Sequence, residues 1–302
     1  MTNEPGPASS VRRTTVGMRR MLAVAAGLVL IIGLPTYLFP TETATLFSWT
    51  VEPPITAAFL GGAYLTSVFV EYLASRERIW ANARIAVPAV LLFTGLTTIV
   101  TLRHLDKFHF GSEHSAFTQL ITWVWLVVYL VVPPLLAVLW YRQTQAPGQD
   151  PPRRFPVPVG LRVLLGIQAV VLFAVGVALY VAPVRTAAEI WPWPLTPLPG
   201  GAVGAWLVAI GVGVAHGLWE ADLRRIRAWM VAYVLFGVLQ LLAVVRLAGD
   251  DIAEVAATPL DRSPGVSVVD WSDGRIWGYL VVLVSIVVAA AWALAASPGR
   301  DQ

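Results

Sequence analysis

Eight apolar stretches run along the chain, near residues 20–40, 54–75, 84–103, 117–140, 160–182, 201–219, 227–246 and 276–297. Short polar or proline-rich segments separate them. Each is long enough to cross a hydrocarbon core of about 30 Å as a helix. Helices are expected because backbone groups in lipid must pair within their own segment. The pattern predicts an all-α, polytopic membrane bundle of eight transmembrane helices. No small-residue cleavage site follows the first stretch, so it reads as a permanent helix rather than a signal peptide.

Shifted by about 143 residues, the chain matches itself. Arg19, Gly33, Tyr37 and Pro40 meet Arg162, Gly176, Tyr180 and Pro183. Arg84, Phe93 and Arg103 meet Arg227, Phe236 and Arg246. Between these anchors the register slips to 142, so that Trp49 and Gly62-Ala63-Tyr64-Leu65 meet Trp191 and Gly204-Ala205-Trp206-Leu207. This is the pattern of an internal duplication. Four helices per half is an even number, so both halves enter from the same side as parallel repeats, 4+4. The expected organisation is a disordered cytoplasmic tail (1–18), a first repeat (19–141), a Pro-rich cytoplasmic linker (142–159), a second repeat (160–297) and a short cytoplasmic tail (298–302).

Charge sets the sidedness. With the N-terminus inside, inner segments hold 15 of the 21 basic residues, and every inner loop contributes. Both termini are therefore expected in the cytoplasm, with the chain in the inner membrane. Overall composition agrees: 57% of residues are hydrophobic and 13% charged, with a mean hydropathy of +0.70. Nearly all basic residues are arginine, which suggests a GC-rich, bacterial genome. The basic balance follows membrane sidedness, so the expected partners are the lipid bilayer and another membrane protein, with no nucleic acid.

Several chemistries are excluded. The chain has no cysteine, hence no disulfide, thiolate metal site or dithiol redox chemistry. Its single lysine, Lys107, lies between spans, where no retinal Schiff base forms. A haem held by two transmembrane histidines needs more than His216. No phosphate-binding Gly-x4-Gly-Lys-Ser/Thr loop, nucleophile elbow or zinc-protease helix motif occurs.

The remaining candidates are few. Ionisable groups within spans are costly and mark functional positions by default, which singles out Glu71 and His216. Glu71 also has Arg78 seven residues on as a local partner. Tyr64 and Trp206, near mid-depth, are read as repeat mates flanking a site on the symmetry axis; core packing explains them equally well. Arg103 and Arg246 run against the positive-inside bias and offer an anion or headgroup contact at the outer mouth; snorkelling, or pairing with Asp106 and Asp250, is the plainer reading. The outer loop after the third span holds His104, Asp106, His109, Glu113 and His114, residue types that bind a divalent metal, in a spacing that fits no standard motif. A solvated loop anchored by Phe108 and Phe110 is the alternative. No catalytic residue and no cofactor beyond that metal is assigned. Trp191 to Gly201 and Trp49 to Pro54 form aromatic, proline-rich caps, read as lids or as an interfacial belt. Pro133-Pro134 is expected to bend the fourth span, with Ser285-Ile286 at the matching place in the eighth.

Three functions fit this reading: a small-solute or ion transporter with a path between the repeats; a membrane accessory, assembly or lipid-binding protein; and a membrane-embedded enzyme using the histidine loop. A transporter calls for a polar cavity at mid-depth, an enzyme for converging loop ligands, and an accessory protein for an exposed groove.

Overall fold

The computed structural model describes residues 11–249 and 268–297. Eight helices are long and apolar enough to span a membrane: α1 (Val16–Leu38), α2 (Pro54–Arg76), α3 (Ala86–Arg103), α4 (Ala116–Thr144), α5 (Val159–Val181), α6 (Pro197–Glu220), α7 (Leu223–Leu247) and α8 (Gly274–Ala295). There is no β-strand among the described residues. A short helix, Pro183–Ile190, lies between α5 and α6, and another, Trp80–Ala83, precedes α3.

The starts of these helices follow from local chemistry. Thr15, Ser115, Asp222 and Asp273 accept hydrogen bonds from first-turn backbone N–H groups of α1, α4, α7 and α8. Pro54 and Pro197 open α2 and α6, where the missing N–H costs nothing. α4 runs unbroken through Pro133 and Pro134, so the double proline does not end the span.

Successive spans alternate in direction, so the start of α1 defines a proximal end and its C-terminus a distal end. α2 and α6 form the centre: in their most apolar windows 67% and 89% of residues are buried, against 28% in α4 and α8. α1 lies along α2 and α5 lies along α6, with backbones almost touching. A Cβ on Gly61 would sit 2.5 Å from the Tyr37 nitrogen, and one on Gly204 would sit 2.6 Å from the Tyr180 nitrogen. Only glycine permits that approach. The other close packings exchange partners along the chain: α3 packs along α6, and α7 along α2, while α4 covers α3 and α8 covers α7. The Tyr37 hydroxyl donates to the Leu239 carbonyl at 2.9 Å, and the Tyr180 hydroxyl to the Leu96 carbonyl at 3.0 Å.

Three expectations need adjusting. Residues 11–18, expected within a disordered tail, are ordered: α1 starts at Val16 and residues 11–15 are tied down. The Arg12 N–H donates to the Gln149 carbonyl, the Trp80 N–H to the Arg12 carbonyl, and Gln143 bonds both Thr15 N and Arg13 O. Residues 1–10, Asp250, Arg262 and 298–302 lie outside the described residues. The linker 142–159 is likewise held in place, with Asp222 accepting from the Arg154 and Phe155 N–H groups. Finally, the contacts of α2 and α6 hold the 143 register throughout. A Cβ on Gly33 would meet the Tyr64 Cβ, and one on Gly176 the Leu207 Cβ. Leu207, not Trp206, therefore makes the contact to Gly176 that Tyr64 makes to Gly33.

Candidate functional site

At mid-depth, where α2, α3, α6 and α7 meet, aromatic rings fill the space. Tyr64 meets Trp206 edge-on at 5.1 Å between centroids, and Phe93 stacks on Trp206 at 3.8 Å. The Tyr64 and Tyr129 hydroxyls bond each other at 2.6 Å, and Thr98 donates to the Tyr129 carbonyl. A cavity of about 40 Å³ remains, with Thr66, Ser67, Trp206 and Trp229 on its wall. That is room for about three waters at most. Thus Tyr64 and Trp206 do come together, as packing in a closed centre.

Glu71 is 2% exposed and lies off that cavity. Ser67, one turn earlier, donates to its Oε1 at 3.1 Å, and Oε2 has no hydrogen-bond partner. The anticipated Arg78 partner does not reach it. His216 belongs elsewhere, with the proximal ion pairs: its Nε2 is 3.3 Å from Glu220 Oε1 and its ring packs edge-on against Trp219. Arg246 caps the end of α1, donating to the Tyr37 and Leu38 carbonyls at 3.1 and 3.3 Å and lying 5.4 Å over the Tyr37 ring. Arg103 lies within electrostatic range of Tyr180.

The histidine loop splits into two parts. His109 is buried and both its nitrogens are engaged, Nδ1 with the Phe47 carbonyl and Nε2 with the Thr50 hydroxyl. Its ring lies 4.2 Å from that of His114, which sits 3.5 Å from Glu113. His104 bonds the Val100 carbonyl of its own helix, and Asp106 pairs with Lys107. Among the described residues no three such side chains converge in metal-binding geometry. Burial pushes the His109 imidazole below its ordinary pKa; the Phe47 carbonyl bond opposes that shift.

A roomier cavity lies at the distal end. A cavity of about 380 Å³ opens between α5 and α8, and Phe59, Leu172, Trp191, Leu207, Phe236 and Tyr279 form much of its wall. Two glycines on α8, Gly274 and Gly278, keep the mouth wide: a Cβ on either meets nothing within 4 Å. Trp191 packs edge-on against Phe59, Trp193 and Tyr279. The Trp193 indole N–H donates to Thr56, but the Trp191 indole N–H and the Tyr279 hydroxyl have no partner. Polar groups ring the mouth. Arg275 donates to the Ala188 carbonyl at 2.6 Å and pairs with Asp273, holding that carboxyl below the usual range. Glu189 pairs with Arg185 at 2.9 Å. The site is therefore an apolar slot with a balanced polar rim.

No protein-family model, curated protein or solved structure matches this chain.

The sequence pointed to Trp191 as part of a cap but not to Tyr279, Arg275 or Gly278. A glycine on the face of a highly apolar span was the available signal. Buried amides were also missed. Gln168 accepts from the Tyr233 hydroxyl and donates to Ser285, and Gln240 donates to the Phe59 carbonyl. Being uncharged, they escape a search for ionisable groups.

Proposed function

We propose that the protein is a membrane accessory component that binds an amphiphilic, lipid-like molecule in the slot between α5 and α8. The distal cavity carries this reading. At about 380 Å³ it falls in the size range of ligand pockets and is far larger than the central space. Its apolar wall suits an acyl or isoprenoid chain, and Arg275 and Glu189 at the mouth suit a polar head. The frame for this reading is a cytoplasmic membrane with both termini inside, a placement supported by the arginine distribution. The Gly61–Tyr37 contact recurs 143 residues on as Gly204–Tyr180, and the Tyr37–Leu239 bond has its exchanged counterpart in Tyr180–Leu96, which supports two parallel repeats.

The test is native mass spectrometry of the protein released from nanodiscs of defined lipid. The wild type retains a lipid-sized adduct, and Gly278→Trp, which fills the mouth, loses it. Equal adducts on both proteins, or none on either, would sink the proposal.

A second reading is transport between the repeats, in a closed state. The unpaired Glu71 Oε2 and the Ser67 hydroxyl near the centre favour it. The chain lacks cysteine, so spin labels at Leu102→Cys and Val245→Cys, both exposed on α3 and α7, report the distal ends cleanly. Two distance populations in lipid support the path; one narrow population counts against it.

A further inference from the structure

The proximal end holds a second cavity, of about 230 Å³, between the linker and the start of α7. Pro151, Arg154 and Phe155 form one wall, and Asp222, Arg224 and Arg225 form the other; Asn82 and Ile79 close the side. Most charges nearby are already matched. Glu220 is fully buried and receives Arg84, Arg225 and His216. Arg84 also pairs with Asp150, and Arg225 donates to the Pro151 carbonyl. Asp222 spends both oxygens on backbone N–H groups: Arg154 and Phe155 at one, Arg224 and Arg225 at the other. Arg153 donates to the Trp219 carbonyl. Two guanidinium groups are left over. Arg154 and Arg224 both line the cavity, and neither side chain has a hydrogen-bond or ion-pair partner among the described residues.

We propose that this cavity is a binding site for a phosphate-type anion, held by Arg154 and Arg224. Two planar forks give ten N–H donors suited to phosphate oxygens. The Asp222 carboxylate lies in the wall, but four backbone donors occupy it, so it leaves the arginines free. The ligand is either a lipid phosphate headgroup or a soluble phosphate compound. This site is separate from the distal slot and does not depend on the reading given for it.

The test uses full-length protein in phosphatidylcholine nanodiscs, titrated with inorganic phosphate by calorimetry. In parallel, native mass spectrometry follows phosphatidic acid doped into the discs. The double variant Arg154→Gln/Arg224→Gln is compared with Arg142→Gln, which removes one exposed, unpaired charge at the same end but outside the cavity. Saturable phosphate binding, weakened at least tenfold in the double variant and unchanged in Arg142→Gln, identifies a soluble phosphate ligand. Phosphatidic acid retention with that same variant pattern, without phosphate binding, identifies a headgroup site. Either result supports the proposal. No binding of either probe, or binding that the double variant and Arg142→Gln affect equally, overturns it. The arginines are exposed and unpaired, so the double variant is expected to fold; thermal unfolding checks this directly.

Discussion

The Arg84 guanidinium closes on both carboxylate oxygens of Glu220, joining the start of α3 to the end of α6. The side chain of Glu220 is wholly buried, so the pair acts as an interior clasp rather than a surface ion pair. Removing one partner of a buried pair leaves an under-compensated charge. Arg84→Gln should cost about 3 kcal/mol, with Arg225 and His216 limiting the loss. A detergent-titration midpoint that does not move would refute this role.

Close glycine contacts predict a sharp contrast among substitutions of one chemical type. Gly61→Ala and Gly204→Ala each drive a methyl into a neighbouring backbone, and each should cost at least about 2 kcal/mol. Gly95→Ala, where a Cβ meets nothing within 4 Å, should stay within about 0.5 kcal/mol. Thermal midpoints of the three variants decide the matter; similar shifts for all would show that the helices are not held this closely.

The hydroxyls of Tyr37 and Tyr180 each bridge to a helix from the other half of the chain. Removing either, by Tyr37→Phe or Tyr180→Phe, should cost about 1 kcal/mol. Because the two bonds share no partner, the double variant should show the sum within about 0.5 kcal/mol. Strong non-additivity would reveal that the two contacts open together.

His109 makes the distal loop sensitive to acid. Its folded pKa is depressed by burial, so the unfolded loop binds the proton more readily. The stabilising contribution is complete above the ordinary histidine value of about 6.5 and is lost as pH falls below it toward the lowered value. After correction for the intrinsic slowing of amide exchange in acid, protection across residues 104–115 should therefore fall on acidification. In His109→Gln that loss of protection should vanish; if it persists, another group is responsible.

The spans were readable from the sequence because the bilayer acts as a uniform solvent and charges each unpaired polar group heavily. Their exact starts were not: Thr15, Ser115, Asp222, Asp273 and two prolines set them, polar and turn signals that the apolar pattern alone does not single out. The partners of the charged groups were not readable. Glu71 was matched to Arg78 by spacing along one helix, but it bonds Ser67, and the arginine clasp instead joins residues 136 positions apart. The distal slot escaped for a related reason. A cavity comes from what several helices fail to fill, and Gly278 and Tyr279 acquire meaning only beside Trp191.

The exchange of helix partners also orders events at the ribosome. α3 finds its long neighbour only when α6 has been made, roughly 100 residues later, and α2 waits longer still for α7. At about 5–20 residues per second, the first four spans reside in the bilayer for roughly 5–20 s with their central faces uncovered. Nascent chains halted after residue 141 should therefore be captured by insertion chaperones that release the finished protein.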